Sequence, residues 1–154
     1  TMAVVSLLMG TLVLLGAVAV MGMDASHLAL LWLFSVCAIA VTGAGALALL
    51  AVFGTPGMLA AALVFVAMAV PTAGATTPLQ ALPEAYRFLA EFEPLRQVTG
   101  GIRAILYYDA QGGAGLTRGW SMLAIGLAAA LLFGFGTTAL YDHKGLDRVP
   151  PPAA

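Results

Sequence analysis

Charge is what this sequence has least of. Only 8% of its 154 residues are Asp, Glu, Lys or Arg, against about 25% in a soluble domain. That excludes an ordinary water-facing surface, because 62% of the chain is hydrophobic and lipid is the solvent that lets such side chains face outward. The net charge of -1 provides no basic patch for nucleic acid. There is one cysteine, Cys37, so no disulfide can form within the chain. Inside an apolar run it reads as a small buried hydrophobe and says nothing about redox compartment. The two histidines, His27 and His143, have no second ligand at metal spacing, so no metal site is expected. No basic stretch precedes the first apolar run, which argues against a cleavable signal peptide. The chain reads as the C-terminal part of a longer polypeptide; a small complete protein with trimmed first residues is the alternative.

Catalytic groups are equally scarce. Glu84, Glu91 and Glu93 are acids on the wet face and near the N-terminus of an amphipathic stretch, where acids are expected without any catalytic pairing. Gly112-Gly113-Ala114-Gly115 lacks the Lys and Ser/Thr of a nucleotide-binding loop. No enzyme, catalytic residue or cofactor is expected. The apolar runs contain no ionisable residue, which argues against a self-contained proton-driven transporter.

What is present is a series of apolar runs. Ala3 to Met23 is about 21 residues long, enough at 1.5 Å per residue to cross a hydrocarbon core of roughly 30 Å. The polar turn from Gly22 to His27 is short, so the first two helices should be antiparallel neighbours. Leu28 to Phe53 is about 26 residues, longer than a perpendicular crossing needs. Gly54-Thr55-Pro56-Gly57 ends it. Met58 to Val70 is only about 13 residues and is closed by Pro71. It reads as a short span extended over 57–72, with a re-entrant hairpin as the competing reading. Trp120 to Tyr141, bracketed by interfacial aromatics, is the last span.

Residues 73–118 differ from the rest. They carry Arg87, Arg96, Arg103 and Arg118, yet Leu82, Tyr86, Leu89 and Phe92 recur at helical spacing, as do Leu95, Val98, Ile102 and Ile105. Pro83 and Pro94 each suit a first helical position. The spacing predicts two short amphipathic helices, 83–92 and 94–108, resting in the membrane interface. Gln111 to Gly115 then reads as a flexible link into the last span. On the second helix Arg96 and Arg103 share a face, which points to water or an anionic lipid headgroup. Pairing with Glu91, Glu93 or Asp109 is the bland alternative. Gly43, Gly45, Gly126, Gly134 and Gly136 are candidate points of close helix packing.

The expected fold is therefore an all-α polytopic membrane protein. Residues 1–72 hold three transmembrane helices (about 3–23, 28–53 and 57–72), 73–118 an external re-entrant or amphipathic segment, 119–141 the last transmembrane helix and 142–154 a polar tail. Charge leaves the orientation open. Lys144 and Arg148 favour a cytoplasmic tail, and Arg118 opposes it.

The run Pro78-Leu79-Gln80-Ala81-Leu82-Pro83, then Tyr86-Arg87-Phe88-Leu89, then Pro94 through Tyr108 and a last span resembles the end of an ABC type-2 permease-like membrane domain. Within that group it is most similar to the phage-infection-protein (YhgE/Pip-like) branch of Gram-positive bacteria, including actinobacteria. The resemblance implies an external segment 73–118, a multi-pass protein of the plasma membrane and a cytoplasmic tail. It also implies that the chain matches the last four of six helices. The function implied is export of a hydrophobic or amphipathic cell-envelope compound. The partners implied are membrane lipids, other membrane subunits or a missing N-terminal part of the same polypeptide, and a separate ATPase. No motif for coupling to an ATPase is present. The alternative function is a non-transporting scaffold or accessory subunit of a larger envelope complex.

Overall fold

A computed structural model describes residues 2–22, 25–54, 56–63, 83–84 and 94–144. Every regular element among them is helical. In chain order these are α1 (Met2–Met21), a 3-10 turn (Ala25–His27), α2 (Leu28–Phe53), α3 (Pro56–Ala62), α4 (Pro94–Tyr107), a second 3-10 turn (Gly112–Ala114) and α5 (Leu116–Lys144). Among the described residues three helical stretches are long and apolar enough to cross a membrane: Met2–Met21, Leu28–Phe53 and Leu116–His143. The protein is thus all-helical and membrane-embedded in character.

The helix ends follow local chemistry. Gly22 takes φ 61° and its N–H reaches the Val18 carbonyl at 3.1 Å, so α1 stops short of Met23. Gly54 does the same for α2, with φ 66° and an N–H to Leu50 O distance of 2.8 Å. Both caps have positive φ, a backbone region that glycine enters without strain. α5 is longer at both ends than the expected 119–141. Its first turn (Leu116, buried, with Thr117 and Arg118) and its polar last residues (Asp142, His143, Lys144) are helix-compatible, so the helix continues beyond the apolar stretch. Of the expected span at 57–72, α3 covers Pro56–Ala62, and 64–72 lie outside the described residues. So does the expected helix at 83–92, apart from Pro83 and Glu84.

Most hydroxyls within the apolar helices are satisfied locally, whereas Ser35, buried in α2, has no hydrogen-bond partner among the described residues. Ser6, Thr11, Thr42 and Thr138 donate to the carbonyl four residues back at 2.7–3.1 Å, as Thr137 does to Phe133. An unpaired hydroxyl in hydrocarbon is costly, and the preceding turn is the nearest acceptor.

α2 is the central helix. α1 packs antiparallel to it: Gly10 lies against Val36, and the Met2 side chain reaches Gly43. Trp32 donates its indole N–H to Thr11 Oγ1 at 3.2 Å. α5 packs on the opposite side and runs parallel to α2. Phe34 meets Gly119 and Trp120, Val41 meets Gly126, and Ala48 meets Gly134. These contacts recur about every two helical turns, which keeps one seam closed along both helices. About the α2 axis the two sets of contacts are separated by roughly 160°, so α1, α2 and α5 form a flat layer.

α4 closes a hairpin on α5. Its buried residues Val98, Gly101, Ala104 and Ile105 recur at helical spacing and face the start of the layer. Gly100 lies against Gly115, and the Gln97 carbonyl against Gly119. α4 therefore runs antiparallel to the first turns of α5, and its N-terminal half lies beside apolar residues beyond Arg118. The reversal after Tyr107 is built from Asp109 (φ 51°) and Ala110 (φ 55°). The Ala110 N–H reaches back six residues to Ala104 O at 3.0 Å, a carbonyl that also accepts from the Tyr108 N–H at 3.1 Å. Gln111 to Gly115, expected as a flexible link, is a sequence of hydrogen-bonded turns, with Ala114 N–H to Gln111 O at 3.1 Å and Gly115 N–H to Gly112 O at 3.3 Å.

The elements converge on Phe34. Its ring is fully buried, meets Trp120 edge-on with centroids 5.1 Å apart, and rests against Gly101 and Gly119. A Cβ at position 119 would sit 2.8 Å from the Phe34 ring and 3.1 Å from the Gln97 carbonyl oxygen. Gly101→Ala and Gly119→Ala are each expected to cost about 1–3 kcal/mol by overpacking. Gly136→Ala, where an added Cβ meets nothing within 4 Å, should be neutral or stabilise by up to about 1 kcal/mol through helix propensity. Unfolding in mixed micelles across the three variants checks the ranking. Equal losses at 119 and 136 would remove the special role of the Phe34 seat.

Candidate functional site

Polar side chains gather where α1 turns into α2 and α4 turns into α5. His27 closes the first 3-10 turn and caps the N-terminus of α2. Its Nε2 lies 3.4 Å from Asp109 Oδ1, and its Nδ1 lies 3.0 Å from Ser26 Oγ. Asp109 can point there because the left-handed turn after α4 swings its backbone outward; Asp tolerates that conformation better than most residues. The contact joins two turns that are far apart in sequence. It is open to solvent, with Asp109 84% exposed. Ser26 and His27 are chain neighbours on an outer turn, and the arrangement ties the turns together rather than enclosing a substrate.

α4 carries the two arginines expected to meet headgroups. Arg96 is half-buried and Arg103 exposed, two turns apart along one side of the helix. Tyr107 and Tyr108 are exposed at its end. Val98 and Ile105, on the other side, are buried. Asp109, one of the acids considered as a partner for the arginines, lies against His27. Glu91 and Glu93 lie outside the described residues.

The five expected packing glycines are placed differently from one another. Gly43 meets Met2, Gly126 faces Val41 with an added Cβ at 3.0 Å, and Gly134 faces Ala48 at 3.8 Å. Gly45 is half-buried on α2. Gly136 is exposed, and among the described residues nothing approaches it closely. Four further tight seats lie outside that set: Gly10 against Val36, Gly57 against the Leu49 carbonyl, and Gly101 and Gly119 against Phe34. One signal was available, since Gly119 and Gly126 repeat at the interval that separates Phe34 from Val41.

Among the described residues no group of three or more His, Cys, Asp or Glu could hold a metal ion. The chemistry on offer is cationic and interfacial: guanidinium groups, tyrosine hydroxyls and an indole at one end of an apolar layer. The family described as "Protein of unknown function (DUF3533)" matches residues 1–126. The chain belongs to this family. That match covers α1 through the first turns of α5, so the Phe34 seat and the His27–Asp109 contact both lie within it. No curated protein and no solved structure matches the chain.

Because the His27–Asp109 contact is solvent-open, its contribution is expected to be small. His27→Gln and Asp109→Asn should each change stability by less than about 1 kcal/mol, with the effect shrinking in high salt. Unfolding at low and high ionic strength checks this. A salt-independent loss of several kcal/mol would mean the pair does more than join the turns.

Proposed function

We propose that this chain is the membrane-spanning part of an ABC type-2 permease-like protein of the phage-infection-protein branch, and that it exports a hydrophobic or amphipathic cell-envelope compound. The observation that carries the reading is the parallel run of α2 and α5. Two parallel spans need a connection that returns across the bilayer, and here that connection must lie between Phe53 and Pro94. The only apolar run available to it is Met58 to Val70, which yields four crossings. α4 then folds along the entry of the last span, as the short external helices do in the permease-like layout.

In this reading the protein is a multi-pass protein of the plasma membrane, with residues 73–118 on the outer face and the tail in the cytoplasm. Arg96 and Arg103 face lipid headgroups at the outer interface. Transport energy comes from a separate ATPase, since the chain carries no nucleotide-binding loop of its own. Other membrane subunits, or a further part of the same polypeptide, complete the path. A second reading, a non-transporting scaffold or accessory subunit of an envelope complex, is favoured by the absence of ionisable residues within Met2–Met21, within Leu28–Phe53 and between Arg118 and Asp142.

Purification of the full-length protein in mild detergent separates the two. Stoichiometric recovery of an ATPase subunit is expected for the permease; a stable complex of unrelated membrane proteins without one would favour the scaffold. Orientation has its own test. In a Cys37→Ala background, single cysteines at Gln80 and Gln111 should react with an impermeant maleimide in intact cells. Labelling only after the membrane is opened would reverse the topology.

A further inference from the structure

The three apolar helices are out of step with one another. Contacts across the layer place residues at common heights along the shared helix direction. Thr11 beside Trp32 and Gly10 beside Val36 set Val13 level with Leu33. Phe34 beside Gly119 and Trp120 sets Leu33 level with Thr117 and Arg118. Yet these level residues occupy different parts of their own helices. Val13 is about 12 Å inside α1 from its end at Met21, Leu33 is about 9 Å inside α2 from His27, and Thr117 precedes the first charge of α5.

No membrane perpendicular to the helices accommodates this stagger. A slab fitted to α1 would place Arg118 near its middle, where a charge costs at least about 2.5 kcal/mol. A slab fitted to α5 would leave the second half of α1 in water, where Val13, Leu15, Val18, Val20 and Met21 are all exposed on the protein. Each such side chain loses about 1.5 kcal/mol or more when denied burial.

We propose that the α1–α2–α5 layer crosses the bilayer obliquely, leaning within its own plane so that the α1–α2 turn stands higher than the start of α5. Arg118, Trp120 and the level Arg96 then form a ledge in the phosphate layer on the α5 side. Neighbouring helix axes are about 9 Å apart, so a drop of about 12 Å across two spacings corresponds to a lean of roughly 35°, within the range of membrane helices. The lean also accounts for lengths. A perpendicular crossing needs about 20 residues, whereas α2 has 26 and α5 has 29. The ledge's partner is lipid phosphate: Arg96 and Arg118 supply the charge, and Trp120 the ring suited to that depth. The proposal rests on these helices crossing a bilayer and not on transport, so it stands or falls separately from the permease reading.

Depth measurement by spin-label accessibility tests it, using the full chain in phosphatidylglycerol/phosphatidylethanolamine vesicles with Cys37→Ala as background. Single cysteines go at Val13, Leu33 and Thr117, all exposed, and on the far side at Leu47 and Leu132, 56% and 76% exposed. Oblique crossing is expected to give Val13 the greatest depth, Leu33 less, and Thr117 the headgroup level. On the far side the order reverses, with α5's Leu132 deeper than α2's Leu47. Equal depths for Val13, Leu33 and Thr117 would overturn the proposal. So would a near-side gradient without the far-side reversal, because thinning of one leaflet would then suffice. Helical unfolding caused by a label would show in circular dichroism, and the exposed neighbours Leu12 of Val13 and Leu131 of Leu132 supply replacement sites in α1 and α5 for the same comparison.

Discussion

The structure depends on one ring having no room. Phe34 lies where α2, α4 and α5 meet, and the two helices that approach it present glycine at the point of contact. In lipid the gain from hiding apolar surface is small, since hydrocarbon surrounds the helices whether or not they associate. Association rests on dispersion contacts and on how closely backbones approach. A large flat ring seated on two glycines maximises both. Trp120 closes the remaining side edge-on, the geometry preferred by the opposed charge of ring face and ring edge.

That seat sets the order of the elements. It holds α5 parallel to α2, and the seam then continues through Val41–Gly126 and Ala48–Gly134. It holds α4 beside the start of α5, which brings Asp109 over the α1–α2 turn and within reach of His27. The polar cluster at this end is a consequence of apolar packing about 10 Å below it. Placing α1 and α5 on opposite sides of α2 also makes the layer flat, so its stagger translates directly into a lean. The proposed oblique crossing and the proposed return connection both rest on contacts made on one helix.

Much of this was legible in residue order. Leu28–Phe53 emerged with its expected bounds, because both ends are marked by chemistry that works locally: a polar turn at His27 and a left-handed glycine at Gly54. α4 was legible from Pro94 and the spacing of Val98, Ile102 and Ile105, and it ends at Tyr107 where a helix to 108 was expected. The packing glycines were legible only in part. Gly136 sits in the same apolar run as Gly126, yet one faces open space and the other a valine. Helical phase relative to a partner decides between them, and the partner of a helix is not written in that helix.

By itself the sequence determined that this protein belongs in lipid, where its long helices lie and which short segment is two-faced, because those properties follow from hydropathy, run length and period. Tertiary structure decided which helices are parallel, which glycines are seats, and that His27 meets Asp109. Each of these depends on bringing distant residues to one height along a common direction, and that height is set by side-chain contact across the seam. The stagger of the three apolar helices belongs to the same class. Every run is readable alone, but the difference in level between them exists only once Phe34, Val36 and Gly119 have fixed the register.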